Sequence, residues 1–132
     1  MPPDVPTLYL DITDIHAVRT ACGSERIDVI VNCAAYTNVD KAEEERTLAM
    51  SLNCAAAANL AKVAAERDAT LIHISTDYVF RGDIPAPCKE DRPTDPTGAY
   101  GSTKLAGEKE IENSGCRSMI IRTAWLYSPY GK

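Results

Sequence analysis

The chain has 132 residues, enough for one ordinary domain with a buried core, and its 45% hydrophobic and 25% charged composition is a globular balance that argues against disorder. A net charge of −5 and a pI near 5.0 argue against a general nucleic-acid or acidic-membrane binder, which needs a basic field to meet phosphate. The longest uncharged stretch, Thr47 to Ala61, is shorter than the roughly 20 apolar residues of a membrane span, and Met1-Pro2-Pro3-Asp4 has no basic or apolar leader region, so the cytoplasm is the expected address.

Thr7-Leu8-Tyr9-Leu10 reads as a short extended run, and Thr13 as the N-cap of a helix running to about Cys22, with Gly23 as its stop. Ile27 to Cys33 is a β-branched run with the continuity of a buried parallel strand. From about Glu43 through Glu66 the chain is rich in helix formers; Asn53 marks a joint, and Leu52, Ala56, Asn59, Leu60 and Val63 trace one face. Leu71 to Thr76 is the next strand. The Pro-rich passage from Gly82 to Pro96 is too long for a simple connection and is a candidate for wrapping a ligand. A helix from about Ala99 to Asn113 stops at Ser114-Gly115, and Met119 to Thr123 is the last strand. Strands alternate with helices and no hairpin signal intervenes. The expected fold class is therefore α/β: a three-layer parallel sheet with helices on both faces, a partial Rossmann (doubly wound) fold in one incomplete domain over 1–132.

Cys22, Cys33, Cys54, Cys88 and Cys116 form no C-x-x-C pair and have no His at ligand spacing, so they read as reduced, mostly buried small hydrophobes. His16 and His73 sit in patterns that suit packing or exposed positions. The run Glu43-Glu44-Glu45 reads as a helix start favoured by the macrodipole rather than as a metal site, and no metal is expected.

In an open parallel sheet, ligands bind at the carboxyl ends of the strands. The residues collected there are Asp11 and Ile12, then Ala34 to Thr37, then Thr76, Asp77 and Tyr78, then Ala124, Trp125 and Tyr127. Tyr100 and Lys104, four apart on a helix, lie one turn apart on the same face and point to the same edge. A Lys ammonium beside a phenol favours the phenolate and lowers the Tyr pKa from about 10, as a general acid for carbonyl reduction requires.

Val31-Asn32-Cys33-Ala34-Ala35-Tyr36-Thr37-Asn38-Val39-Asp40-Lys41-Ala42-Glu43, Ser75-Thr76-Asp77-Tyr78-Val79-Phe80, Tyr100-Gly101-Ser102-Thr103-Lys104-Leu105-Ala106-Gly107-Glu108 and Arg122-Thr123-Ala124-Trp125 together closely resemble the dTDP-4-dehydrorhamnose reductases. These belong to the extended short-chain dehydrogenase/reductase superfamily. The resemblance implies reduction of a dTDP-linked 4-keto-6-deoxy sugar by NADPH or NADH. It implies that Tyr100 protonates the C4 carbonyl oxygen, that Lys104 bonds the nicotinamide ribose and depresses the Tyr100 pKa, and that Thr76 polarises the carbonyl. Asp77 and Trp125 would contact substrate; Asp11, Ile12, Ala35, Tyr36 and Thr37 would line the cofactor. Asn53 resembles the helix Asn that supports the Lys through water.

The chain departs from the family in that no G-x-x-G-x-x-G precedes Asp11 and it stops at Gly131-Lys132. The expectation is the central part of a reductase, with weak NADPH binding and no turnover by itself. Its apolar sheet edges invite a homo-oligomer or strand-swapped self-association. The alternative is a non-catalytic regulatory subunit of the same fold, like that of methionine adenosyltransferase, and a third is an α/β fragment without a ligand. Preference between NADPH and NADH is set after a strand not seen here.

Overall fold

A computed structural model describes residues 5–83 and 85–129; the readings made on Met1-Pro2-Pro3-Asp4 and Gly131-Lys132 lie outside the described residues. Three β-branched runs form β1 (Val29–Asn32), β2 (Thr70–Thr76) and β3 (Arg117–Thr123), all parallel and in the order β1-β2-β3. Val29 pairs with Thr70 and Thr70 with Arg117, so the three strands start level and their carboxyl ends share one edge.

Alternation along each strand divides the side chains between two faces. Ile30, Leu71 and Ile120 join a core with Val18 and Cys22 of α1 (Ile15–Cys22), Leu60 and Val63 of α3 (Ala56–Glu66) and Ile111 of α4 (Ala99–Asn113). On the opposite face Val29, Val31, Met119 and Ile121 remain 38–56% exposed. The parallel α/β sheet is as expected; of its two covering layers the described residues supply one. The reason is topological. Both crossovers are expected to be right-handed and both step in the same direction across the sheet, so α3 and α4 fall on the same side.

The expected joint at Asn53 is a π-helical turn, Ser51–Ala55, between α2 (Arg46–Met50) and α3. Such one-turn insertions concentrate at functional sites. By length and apolarity the continuous 21-residue helix from Arg46 to Glu66 could cross a membrane, but Ala57, Leu60, Ala61 and Val63 are spent on the core.

Several local readings are corrected. Thr7 to Leu10 joins no strand among the described residues; Leu10 packs against the core instead. The cap of α1 is Asp14, whose carboxylate accepts from the N–H groups of His16 (2.8 Å) and Ala17 (3.3 Å), while the Thr13 hydroxyl is taken by Asp11. Glu43 lies in a separate 3-10 turn and caps another helix: its carboxylate accepts the Ala99 N–H at 2.6 Å, at the positive end of α4, where the cap residue Gly98 has no side chain to offer. Of the five free cysteines only Cys22 is buried; Cys54 and Cys116 are partly so, and Cys33 and Cys88 lie exposed in connections.

Candidate active site

β2 delivers Thr76 to the sheet's carboxyl edge, and α4 begins across from it. Two close approaches fix α4 there. A Cβ on Gly101 would stand 2.2 Å from the Tyr78 carbonyl oxygen, and one on Gly107 would stand 2.1 Å from that of Asn53. Only glycine permits this packing, which places Tyr100 in the first turn of α4 and Lys104 one turn later.

Tyr100 is half-buried. It lines one pocket wall with Thr76, and its ring meets Tyr78 edge-on at 5.6 Å. The Thr76 hydroxyl donates to Asp77 Oδ1 and accepts the Tyr78 N–H, both at 3.2 Å, so it is held in place. Burial raises the Tyr100 pKa above its ordinary 10; the nearby Thr76 hydroxyl pulls the other way, and Asp77 and Tyr78 add to the rise. Lys104 is 1% exposed, and its Nζ donates to the Ile74 carbonyl at 2.7 Å and lies 3.4 Å from His73 Nε2. Burial pulls its pKa down to about 8, against the pull of Glu108. The expected lowering of Tyr100 by Lys104 is therefore not the state of this structure: the amine is turned toward β2, and burial governs the phenol.

Thr76, Asp77, Tyr100, Lys104 and Trp125 line a pocket of about 260 Å³ whose β1 side is made by Cys33, Ala35 and Thr37. Asp77 and Trp125 also border a second hollow of about 400 Å³, shared with Tyr78, Arg81 and Thr97. The start of the long passage thus reaches the site, with Arg81 and Gly82 in its wall. Trp125 is 84% exposed and adopts φ +50°, a left-handed conformation uncommon for a bulky residue, which throws its ring into the mouth of both hollows.

Other expected residues are placed elsewhere. Tyr36 does not line the pocket; its hydroxyl donates to Glu45, which drives its pKa up to about 12. Its backbone is gripped by Asn53, whose amide oxygen accepts the Tyr36 N–H at 2.8 Å and whose amide nitrogen donates to the Tyr36 carbonyl and, at 3.0 Å, to Thr103 of α4. The amide that resembled a water-linked support for Lys104 is thus a clamp joining the Ala35–Thr37 connection to α4. Asp11 is exposed, its carboxylate occupied by the Thr13 N–H and hydroxyl, while Ile12 packs on the core; neither borders the pocket. Among the described residues no group of three or more His, Cys, Asp or Glu could hold a metal.

Sequence reasoning missed a buried polar chain behind the pocket. Asn32 Nδ2 lies 3.0 Å from His73 Nδ1, and Glu108, 1% exposed, is bonded by Ser75 and Arg122. The available signal was strand alternation, which sends His73 and Ser75 to the same face as Leu71, where a polar group needs a partner.

A level-ended parallel sheet, a strand-end Thr sharing a pocket wall with a helix Tyr, and a Lys one turn behind it define a Rossmann-like domain of the short-chain dehydrogenase/reductase class. Residues 4–132 match the family described as RmlD substrate binding domain, and the chain belongs to that family. It is 48% identical over 124 residues to a dTDP-4-dehydrorhamnose reductase of Streptomyces griseus, covering 93% of this chain and 41% of that protein. It is 45% identical over 125 residues to a probable dTDP-4,6-dihydroxy-2-methyloxan-3-one 4-ketoreductase of Streptomyces antibioticus, covering 94% of this chain and 42% of the relative. Among solved structures it superposes with a TM-score of 0.90 and 43% identity on a dTDP-4-dehydrorhamnose reductase from Bacillus anthracis in complex with NADP, covering 93% of this chain and 44% of that one. The chain therefore spans less than half the length of these relatives.

Proposed function

We propose that this chain carries the proton-donating site of a dTDP-4-dehydrorhamnose reductase, which reduces the 4-keto group of dTDP-4-dehydro-6-deoxy-L-mannose to give dTDP-L-rhamnose. The observation that carries the reading is the convergence of Thr76, Tyr100 and Lys104 on the wall of one pocket. A reduced nicotinamide dinucleotide, NADPH or NADH, would supply the hydride. The small side chains of Cys33, Ala35 and Thr37 facing Thr76, Tyr100 and Lys104 suit a planar ring on one side and a polar carbonyl on the other. Those residues would hold the dinucleotide.

A buried phenol with a raised pKa is protonated at neutral pH, so Tyr100 holds the proton that the C4 oxygen needs as it becomes an alkoxide. Thr76, on the same pocket wall as the phenol, stabilises the charge growing on that oxygen. Lys104 is within one helical turn of Tyr100 and is the cation available to the phenolate left behind. Asp77 and Trp125, common to both hollows, would contact the sugar nucleotide. Asp11, Ile12 and Tyr36 have no contact with the pocket, and a cofactor role for them would lie outside it.

The test grafts this chain in place of the matching segment of the Streptomyces griseus relative and follows NADPH oxidation with the dTDP-4-keto-6-deoxy sugar. Turnover supports the reading. Dinucleotide binding without turnover would favour the regulatory alternative.

A further inference from the structure

Behind the pocket, Asn32, His73 and Lys104 form a line of buried polar groups, each at most 4% exposed, running from the end of β1 through β2 to α4. The line has a direction. The Asn32 amide oxygen accepts the Ala34 N–H at 3.1 Å, which settles the amide's orientation, because the reversed amide would set two N–H donors against each other. Its Nδ2 therefore points at His73 Nδ1, 3.0 Å away, and Nδ1 is confined to accepting. A neutral imidazole has one N–H, so the proton sits on Nε2. That nitrogen is 3.4 Å from Lys104 Nζ. An Nε2–H opposes an ammonium as donor against donor, but can donate to the lone pair of a neutral amine, which keeps an N–H for the Ile74 carbonyl.

We propose that Asn32 and His73 are positioning residues that fix the Nε2–H tautomer and thereby disfavour the ammonium form of Lys104, setting the pH at which Lys104 becomes the ammonium that Tyr100 uses. The inference deepens the reading of the previous subsection. Other titratable and charged groups around the line are Glu108 of α4 and Arg122 of β3, with the Ser75 hydroxyl of β2 between them; Arg122 takes both Glu108 oxygens, at 2.6 to 3.2 Å, and so draws that charge away from Lys104. Tyr100 is a turn away on the pocket side. Burial lowers the pKa of both, His73 to about 4 and Lys104 to about 8, in keeping with a neutral imidazole and with an amine that changes charge just above neutral pH.

The test is nuclear magnetic resonance on the ¹⁵N- and ¹³C-labelled chain. Long-range correlations of the His73 ring should show Nε2–H at pH 7, and an Nδ1–H pattern or an imidazolium would overturn the proposal. Asn32→Asp turns the partner of Nδ1 into an acceptor, so the tautomer should switch and the Lys104 titration midpoint should rise by about one pH unit, tenfold in the amine-to-ammonium ratio. Asn32→Asp/His73→Phe carries the same new charge without the imidazole and should show a smaller rise; an equal rise would also overturn the proposal. The wild-type ring measurement decides even where a variant fails to fold. Failure of the grafted enzyme to turn over, with Nε2–H observed, would count against the reductase reading alone.

Discussion

β2 sends Leu71, His73 and Ser75 to one face of the sheet and Ile72 and Ile74 to the other, and the two faces are stabilised in different ways. On the helix-covered face Leu71 is fully buried with Ile30 and Ile120 packed partly buried beside it, and among the described residues no buried side-chain nitrogen or oxygen lacks a partner. On the other, Val31 and Met119 are each 56% exposed. The covered face is thus constrained twice, by packing and by polar pairing, and the site depends on it because Lys104, Thr103 and Glu108 of α4 are anchored there. The bare face carries apolar side chains with little to hold in place.

The sharpest way to break that contrast is Arg122→Leu. It leaves the Glu108 carboxylate buried without its cation, and breaking such a pair typically costs about 3–5 kcal/mol. Denaturant unfolding should show the loss, and a change under 1 kcal/mol would mean that solvent reaches Glu108.

Acid is the next probe. Burial first, then the Lys104 charge, lowers His73 from 6.5 to about 4, with Glu108 opposing. As pH falls, the unfolded chain takes up this proton before the folded one does. Stability contributed by the neutral imidazole is thus complete above pH 6.5 and lost between pH 6.5 and about 4, by about 3 kcal/mol. In His73→Gln the stability slope over that window should flatten; an unchanged slope would place the acid sensitivity elsewhere.

Gly107→Ala forces a methyl into the Asn53 carbonyl, and overpacking of this kind costs about 1–3 kcal/mol. Its thermal midpoint should fall clearly. On the bare face, Val31→Thr should change stability by less than about 0.5 kcal/mol, as for an exposed site, while lowering any self-association seen by light scattering. A loss comparable to Gly107→Ala would show that something packs on this face.

What was legible in the sequence followed from short-range periodicity. Tyr100 and Lys104 share a helix face because they are four apart, and Thr76 reaches the ligand edge because its strand ends there. The joint at Asn53 was visible as a polar residue in an apolar helix. Not legible was anything set by a partner distant in sequence. Glu43 caps α4 across 56 residues, and Lys104 turns its amine to β2 because Ile74 and His73 await it there. Nor could spacing show that both crossovers would leave one face bare, since that depends on strand order. Asp14 displaced Thr13 as the cap because Asp11 captured the Thr13 hydroxyl, a competition among near-equivalent capping residues.

The most direct measurement is single-turnover NADPH oxidation by the grafted enzyme carrying Tyr100→Phe. Loss of the positioned proton should slow the chemical step by about 10²–10⁴-fold with dinucleotide affinity unchanged. A rate within threefold of the parent would show that the carbonyl oxygen takes its proton from another group.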